Sequence, residues 1–387
     1  MNITYLALQR KKYPHLNDEE WRFMLQQVEG RQRTKDKLPS IAEKEDWWYP
    51  ARISCEQSSS EATAHIKTTL LPTPPYQLVD LTGGMGIDTY YLSENATEAH
   101  YIEQNEELCR LATHNMQLYR PHVHIHHTTA EEYIQQMAAD TTPTILYIDP
   151  ARRNAQGGKV FRIEDCEPNL CQLLPMMKTR ASFIMIKLSP MLDITAALRT
   201  LAEAFQVYII ALENEVKEIL LTLDTTLTTS HTTSKITTIH IKNYDHHTKQ
   251  MIVDRQEWDT ETEKTTAAPT PSDIEKDIYL YEPNAAILKA GAYKQIAARY
   301  QLKKMAPHTH LYSSENYCDD FPGRKWRLLS IYDKRLHKDI RASILTRNYP
   351  LTAEELRKKL KIKDSHQYTI IGARVGDKPM LLVAEKL

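Results

Sequence analysis

The chain has 387 residues, too many for one hydrophobic core, so we expect two or three domains. Its 49 Lys and Arg nearly balance its 50 Asp and Glu, so the net charge by itself excludes no class of partner. The charge is unevenly distributed, because residues 323–387 contain 16 basic and 7 acidic residues, an excess of nine positive charges. Such a basic end suggests contact with a polyanionic partner, but basic tails are more often ordinary solvated surface.

The cysteine pattern and the hydropathy of the chain argue against several further classes of protein. The five cysteines form no CxxC pair and no regular spacing, which argues against a zinc site or a disulfide framework. The chain does not begin with a basic segment followed by an apolar stretch, and no apolar run of about 18 residues occurs. We therefore expect a cytoplasmic protein without a metal or a membrane partner.

The first 70 residues predict an N-terminal helical region. Apolar residues recur at helical spacing around Trp21 and again around Ala62. Ser58, Ser59 and Ser60 can cap a helix that starts there, and Glu61 lies three residues after Ser58, the spacing of a capping box.

Residues 71–225 predict one domain in which strands and helices alternate, as in a parallel, doubly wound α/β sheet. The predicted strands are 76–81, 99–103, 122–126, 144–149, 181–187, 206–212 and 216–223. The predicted helices are 106–118, 130–139, 168–177 and 194–205. Only three residues separate the last two strands, which predicts an antiparallel hairpin at the end of the sheet. That is the layout of class I methyltransferases, whereas dinucleotide dehydrogenases keep the sixth strand parallel.

The remainder of the chain predicts a linker and a basic α+β module. Residues 226–275 are rich in threonine and then in acidic residues, and they are interpreted as a linker with one possible hairpin, from 236–241 to 251–253. Beyond Ile278 we expect first a strand, then helices at 285–299 and 352–360 and strands at 326–331, 367–372 and 379–384.

Three of the ten glycines lie between positions 83 and 86, at the end of the first predicted strand of the sheet. A strand, a tight glycine turn and a helix start are how α/β folds bring backbone N–H groups close to a cofactor. A glycine turn is equally explained by close packing of a helix on a strand, so both interpretations stay open at this point.

Two further positions have the spacing of a nucleoside site. Glu103 ends the second strand, 20 residues past Gly83, where a carboxylate can accept hydrogen bonds from both ribose hydroxyls. Asp149 ends the fourth strand and therefore faces the same crevice. Asp80, at the end of the first strand, suits a cationic cofactor such as S-adenosylmethionine and would repel the pyrophosphate of NAD.

We therefore predict an S-adenosylmethionine site. Thr129 and Ala130, at the end of the third strand, are candidates for adenine contacts, although both are equally explained as the cap of the next helix. The predicted cofactor-binding residues are Asp80, Thr82, Gly83, Gly84, Met85, Gly86, Glu103, Thr129, Ala130 and Asp149.

These residues carry a family resemblance that covers nearly the whole chain. Residues 79–86, Glu103 and residues 148–153 resemble class I S-adenosylmethionine-dependent methyltransferases. Residues 56–61, 281–286, 321–324 and 346–350 resemble, more narrowly, the bacterial family that joins this domain to a ferredoxin-like insert and a C-terminal THUMP-like domain. The resemblance implies a ferredoxin-like domain at 276–322 and a THUMP-like domain at 323–387. It also implies an RNA partner bound through the basic C-terminal module, because THUMP domains accompany RNA-modifying enzymes.

The end of the fourth strand predicts the catalytic residues Asp149, Pro150 and Arg152. Amino-methyltransferases that act on bases carry Asp/Asn-Pro-Pro-aromatic here, and this chain keeps the polar acceptor but lacks the second proline and the ring. Arg152 or Arg153 could stack on a flipped base or hold a phosphate, or could pair with a carboxylate such as Glu164.

Two mechanistic hypotheses follow from this altered motif. No cysteine follows Pro150, and C5 methylation of a pyrimidine needs a cysteine nucleophile, so transfer to nitrogen or oxygen fits better. The alternative is a non-catalytic RNA-binding protein that keeps the methyltransferase fold.

Two other charged features are interpreted as surface. Lys187, at the end of the fifth strand, is interpreted as a residue emerging into water, with a substrate phosphate as the alternative. Histidines alternate along the third strand at positions 122, 124 and 126, and without nearby cysteines they are interpreted as an edge-facing surface rather than a metal site.

Overall fold

A computed structural model describes residues 3–137, 143–151, 162–201, 203, 205–227, 235–270, 274, 278–335 and 340–387. The chain divides into two compact units. The first comprises Met1–Leu212, Lys217–Thr233 and Ile241–Val253, and the second comprises Glu213–Val216, Ser234–His240 and Asp254–Leu387.

The first unit begins with helices, as predicted. They are α1 (Ile3–Ala7), α2 (Asp18–Thr34), α3 (Pro39–Ala42), α4 (Arg52–Gln57) and α5 (Glu61–Thr68). The longest, α2, starts after Asn17, whose side chain accepts hydrogen bonds from two backbone N–H groups while Glu20 closes a capping box. These helices belong to the same compact unit as the first six strands of the sheet that follows.

A nine-stranded sheet follows the helical region. Its strands are β1 (Gln77–Asp80), β2 (Glu98–Glu103), β3 (Val123–His127), β4 (Thr144–Ile148), β5 (Phe183–Leu188), β6 (Gln206–Leu212), β7 (Glu215–Asp224), β8 (Lys235–Asp245) and β9 (Gln250–Asp259), in the order β3-β2-β1-β4-β5-β7-β6-β8-β9. The helices α6 (Ile87–Leu92), α7 (Glu106–Tyr119), α8 (Ala130–Gln136), α9 (Leu170–Arg180) and α10 (Ile194–Leu201) alternate with its first six strands.

The pairing of the strands confirms the predicted fold class. Strands β1 to β5 pair in parallel, whereas β7 runs antiparallel to β5. The turn between β6 and β7 holds Glu213 and Asn214 at positive φ, which suits a two-residue hairpin connection. Continuous apolar runs such as residues 145–148 are almost fully buried, as expected for strands covered on both faces.

The segment interpreted as a linker contains more structure than predicted. The hairpin is present, but β8 is about twice and β9 more than three times as long as predicted. Both strands belong to the sheet, and α11 (Thr260–Thr265) follows them. The threonine-rich composition was misleading because threonine is β-branched and fits a half-buried strand. Thr237 and Thr238 are both buried in β8.

The second unit contains a seven-stranded sheet in the order β11-β12-β10-β13-β16-β15-β14. Its strands are β10 (Tyr279–Pro283), β11 (Lys303–Ala306), β12 (Thr309–Ser314), β13 (Gly323–Ile331), β14 (Ser343–Arg347), β15 (Tyr368–Val375) and β16 (Lys378–Lys386), and its helices are α12 (Ala285–Ala290), α13 (Tyr293–Arg299) and α14 (Ala353–Leu360). The predicted helix 285–299 is two helices, because Gly291 takes a left-handed conformation (φ +73°) that ends the first.

Hydrophobic side chains fill the interior of this second sheet. Trp326, Leu328, Ile371 and Leu382 belong to one buried cluster there. No helix in the described parts of the chain is long and apolar enough to cross a membrane.

Candidate functional site

The glycine turn serves both packing and backbone conformation. A Cβ on Gly83 would lie 2.1 Å from the ring of Tyr101, so the fully buried tyrosine occupies the place of a side chain. Gly84 is different, because its φ is +55° and a Cβ there would meet only the Thr82 carbonyl oxygen, at 3.8 Å. The turn is therefore packed on one side and sterically open at Gly84.

Hydrogen bonds tie three strand ends together around this turn. Glu103, at the end of β2, accepts hydrogen bonds from the backbone N–H groups of Gly84 and Asn105, both at 2.9 Å. The Thr82 hydroxyl accepts a hydrogen bond from the backbone N–H of Asp149 at 2.7 Å. The structure thus brings the predicted residues at the ends of β1, β2 and β4 together at one edge of the sheet, where the crevice is predicted.

Asp80 lies beneath the turn rather than on its surface. Its side chain is 1% exposed, and it accepts hydrogen bonds from the backbone N–H of Thr82 (3.0 Å) and from the hydroxyl of Thr89 (2.6 Å). Burial raises the pKa of Asp80 to about 7, against the opposing effect of these two hydrogen bonds. Its carboxyl group therefore changes charge near neutral pH.

We expect Asp80→Asn to stabilise the protein progressively, relative to wild type, as the pH rises from about 4 to about 7. In this range the native carboxyl stays protonated while the unfolded one ionises, so a rising pH favours the unfolded wild-type chain. An asparagine amide can keep both hydrogen bonds, to the Thr82 N–H and the Thr89 hydroxyl, without titrating. Urea unfolding of both proteins between pH 4.5 and 8 measures the difference, with the exposed Asp36→Asn as control, and parallel pH curves would contradict the prediction.

The other predicted cofactor residues lie in helix starts and in the interior. Met85 is buried, and Gly86 is the N-cap of α6 with φ +81°. The Thr129 hydroxyl accepts the Glu132 backbone N–H in a capping box at the start of α8, and Ala130 is buried behind it. Thr129 is therefore a helix cap, as one of its two interpretations predicted. Its contact with adenine stays a prediction.

The end of β4 is described only as far as residue 151. Pro150 is buried, and Ala151 exchanges two backbone hydrogen bonds with Glu167 (2.7 and 3.0 Å). The predicted catalytic Arg152, like Arg153, lies outside the described residues. Glu164, which was considered as its partner, forms an ion pair with Arg162 at 3.1 Å.

Lys187 does not emerge into water, so the surface interpretation was wrong. Its side chain is 13% exposed, and its ammonium group lies 2.5 Å from a carboxylate oxygen of Asp149 and 3.4 Å from one of Asp88. Burial alone would lower the pKa of Lys187, but Asp149, Asp88 and Glu218 outweigh it and raise the pKa. For Asp149, burial raises the pKa, and Lys187 opposes this rise. The pair places a cation directly behind the predicted catalytic carboxylate.

A second buried lysine continues this charge network. Lys67, from α5, is fully buried and lies 2.6 Å from Glu218 on β7 and 2.8 Å from Asp88 on α6. The hydroxyl of Ser59 donates to Asp88 and accepts from Lys67, both at 2.8 Å, and it also accepts from Lys187 at 3.1 Å. The N-terminal helices therefore contribute side chains to the region behind Asp149.

Sequence reasoning missed most of this network. Asp88 also accepts a hydrogen bond from the hydroxyl of Tyr147 at 2.7 Å; burial would raise its pKa, but the two lysines and this tyrosine bring the pKa below its usual range. The available signal was a charged residue inside an otherwise apolar strand, as with Lys187 in β5. Such residues are rarely buried unless they are paired. Glu218 gave no such signal, because two other charged residues precede it in β7.

The predicted capping box of Ser58 and Glu61 is wrong. The N-cap of α5 is Ser60, whose side chain accepts the backbone N–H of Thr63. Glu61 instead accepts hydrogen bonds from the backbone N–H of Ser40 (2.9 Å) and from the hydroxyl of Tyr244 (3.1 Å). Its carboxylate is buried among these donors, so a tertiary contact replaces the local one.

The alternating histidines lie on the edge strand β3, as predicted. His126 is 3.0 Å from His100 on β2, and His124 is 3.2 Å from the carboxylate of Glu98. Elsewhere in the described chain, Glu43, His246 and His247 bring their ligand atoms within 4.8 Å of one another on a largely exposed surface.

Comparison with solved structures identifies the family. A candidate methyltransferase from Porphyromonas gingivalis W83 is 32% identical, covers 99% of this chain and 97% of its own, and superposes with a TM-score of 0.85. Domain models match as a ferredoxin-like domain at residues 279–322 and as a THUMP domain-like region at residues 323–386. The chain belongs to this methyltransferase family.

More distant structures match less than half of the chain. A SAM-dependent methyltransferase from Agrobacterium tumefaciens is 13% identical and covers 42% of this chain and 60% of its own, with a TM-score of 0.30. An rRNA methylase from Streptococcus thermophilus is 12% identical to the present chain, of which it covers 42%, and the match covers 93% of the methylase itself, with a TM-score of 0.31. No curated protein matches the chain.

Proposed function

We propose that this methyltransferase uses S-adenosylmethionine to methylate a nitrogen or oxygen atom of structured RNA. The observation that carries the proposal is the meeting of the ends of β1, β2 and β4, where the crevice is predicted. There the Gly84 N–H donates a hydrogen bond to the Glu103 carboxylate, and the Asp149 N–H donates one to the Thr82 hydroxyl of the same turn.

The residues of the crevice fit the cofactor. Glu103 offers two acceptor oxygens at the position where a ribose is bound in sheets of this type. Gly84 leaves its side of the turn sterically open, so the adenosine can approach the backbone. When ionised, the buried Asp80 adds a negative charge beneath the turn, which favours a cationic ligand. S-adenosylmethionine, when bound there, supplies an electrophilic methyl group on a sulfonium.

Asp149 and Lys187 supply the acid–base chemistry of the proposal. About one third of the Asp149 side chain is exposed, so a substrate N–H or O–H can reach its carboxylate. Lys187 contacts the same carboxylate and stabilises its ionised form, in which it accepts a hydrogen bond and then a proton. Asp149 thus orients the acceptor atom of the substrate, and Pro150 contributes its backbone carbonyl as a second acceptor.

RNA is the substrate class that best fits the second unit. The excess of nine positive charges lies within residues 323–387, the region that matches a THUMP-like domain. A basic surface of this kind binds a phosphate backbone through its charge. Arg152 follows Asp149 by three residues in the sequence, and its side chain can hold a phosphate or stack on a base of the same RNA.

We expect S-adenosylhomocysteine, but not NAD, to raise the melting temperature of the protein, because a ligand that binds only the folded state stabilises it.

Glu103→Gln should weaken S-adenosylhomocysteine binding about tenfold or more, since it removes a charged acceptor of ribose hydroxyls. Glu98→Gln, at the opposite end of the same strand, is the matched control and should bind as the wild type does. Equal affinities of the wild type and Glu103→Gln would contradict the placement of the ribose.

Transfer of a labelled methyl group from S-adenosylmethionine tests catalysis directly. The substrate is total RNA from cells that lack this protein, and nucleoside analysis of the labelled RNA identifies the acceptor atom. Incorporation into nitrogen or oxygen supports the proposal. RNA binding without any incorporation would instead favour the alternative, a non-catalytic RNA-binding protein, for which the altered motif after Asp149 is the argument.

A further inference from the structure

Three sequence segments that carried the family resemblance meet in the second unit. Glu282 on β10 lies opposite Arg324 on β13, and the next residue, Pro283, lies opposite Gly323. A Cβ on Gly323 would lie 2.0 Å from the carbonyl oxygen of Glu282, so only glycine allows this approach. Arg347, at the end of β14, donates from its Nε to the same Glu282 carboxylate. The segments 281–286, 321–324 and 346–350 therefore converge on one carboxylate.

The charges at this point do not cancel. The Glu282 side chain is 1% exposed, and both Arg324 and Arg347 form ion pairs with it. One arginine would satisfy the need of a buried carboxylate for a partner, so the second leaves one positive charge in excess. The two arginine side chains are 37% and 33% exposed, so their guanidinium groups reach the surface.

The guanidinium groups keep donors for a further ligand. Arg347 uses Nε for Glu282 and Nη1 for the carbonyl oxygen of Thr346 at 2.7 Å, and Arg324 meets Glu282 through Nη2. Each guanidinium carries five N–H groups, so the two arginines have ten. The three contacts given for them within the described residues use fewer than half of these donors. The Nε of Arg324 is buried without a hydrogen-bond partner in the described part of the chain, so the donors that remain for an anion are N–H groups of the Nη atoms. Glu282 fixes both guanidinium groups from the inside and so holds these donors in place.

The surroundings of Arg347 are positive as well. Asn348 donates a hydrogen bond to the Thr309 hydroxyl at 3.3 Å, which holds the end of β14 beside the strand of His310. Burial is the main reason that the pKa of His310 is lowered to about 4, and the neighbouring Lys304, His308 and Arg347 contribute to the same shift. Lys304 and Arg347 therefore place further positive charge around this point, which favours an anion.

We propose that Arg324 and Arg347 form a phosphate-binding site, with Glu282 as the positioning residue that holds both guanidinium groups. Planar guanidinium groups bind phosphate oxygens through paired N–H donors, which makes arginine suited to nucleic-acid phosphates. The choice of RNA as the source of the phosphate rests on the proposed function. The bound group is either a phosphodiester within the RNA strand or a monophosphate at the end of the RNA.

The test compares binding of an RNA hairpin with and without a 5′-phosphate to the full-length protein. Arg324→Gln and Arg347→Gln should each weaken binding about tenfold and lower the slope of log affinity against log salt by about one. Lys358→Gln is the matched control, because it removes one charge from an exposed ion pair on α14 of the same unit. A loss seen with both hairpins assigns a phosphodiester, and a loss seen only with the 5′-phosphorylated hairpin assigns a terminal phosphate.

Variants that melt at the wild-type temperature and bind both hairpins as Lys358→Gln does would overturn the proposal, leaving Glu282 and its arginines as a structural ion-pair cluster. Should the glutamine variants fail to fold, arginine modification of the wild-type protein by phenylglyoxal decides. RNA should protect Arg324 and Arg347 from the reagent, and their modification at an undiminished rate in saturating RNA would also overturn it. S-adenosylhomocysteine binding is measured in parallel, so a failure of the methyltransferase proposal is seen separately from a failure of this site.

Discussion

Asp149→Asn is expected to lower methyl transfer to RNA by about 10²- to 10⁴-fold, the usual contribution of a positioned acid–base group. The substitution keeps the shape of the side chain and does not involve the backbone N–H of Asp149, which donates to Thr82, so the turn stays intact. What it removes is the charged acceptor that pairs with Lys187 at 2.5 Å. The initial rate of label transfer at saturating cofactor measures the effect, with RNA affinity measured in parallel.

The control for this prediction is Asp36→Asn, which removes an exposed carboxylate from the same unit. Its rate should equal that of the wild type. A variant at position 149 that transfers label at the wild-type rate would remove Asp149 from the mechanism. It would leave Lys187 and Asp149 as a structural ion pair beside the crevice.

Lys67→Met is expected to lower the free energy of unfolding by about 3–5 kcal/mol, the typical cost of removing one partner from a buried ion pair. Lys67 is fully buried between Glu218 (2.6 Å) and Asp88 (2.8 Å). Without the ammonium group of Lys67, Glu218 loses the ion pair at 2.6 Å, while Asp88 keeps the one with Lys187 at 3.4 Å. Equilibrium unfolding in urea at pH 7 measures the loss.

Two variants make the stability prediction specific. Lys249→Met breaks the ion pair with Glu94, in which the lysine side chain is 48% exposed, and should cost no more than about 1 kcal/mol. Adding Glu218→Gln to Lys67→Met should restore part of the stability, because it removes one of the unpaired charges. A loss of less than about 1 kcal/mol for Lys67→Met would show that water or rearrangement compensates the buried carboxylates.

The sheet of the first unit was predictable because its signals are local. Apolar runs such as residues 145–148 and 184–186 identify buried strands, and the short connection at Glu213 and Asn214 forces the last pair to turn back. The strands β11, β12 and β14 were missed because they are short and lack such runs. The hairpin of β8 and β9 was underestimated because its threonines also occur in loops.

The candidate site was predicted only in part, for a similar reason. Gly84, Glu103 and Asp149 follow strands at fixed spacing, and the ends of parallel strands meet by topology. Ser59, Lys67 and Glu218 come from distant segments, and nothing in their local sequence tells which partner each will find. The capping box at Ser58 failed because Ser60 took the cap and Glu61 found tertiary donors.

The sequence by itself determined the α/β class, the glycine turn and the strand ends that line the crevice, because spacing and periodicity are properties of neighbouring residues. The tertiary structure alone decided that Lys187 pairs with Asp149 instead of meeting water, and that Glu282 gathers Arg324 and Arg347. Both decisions concern buried charges. Their energies depend on which partners the folded chain brings within a few ångströms, and sequence distance does not encode that.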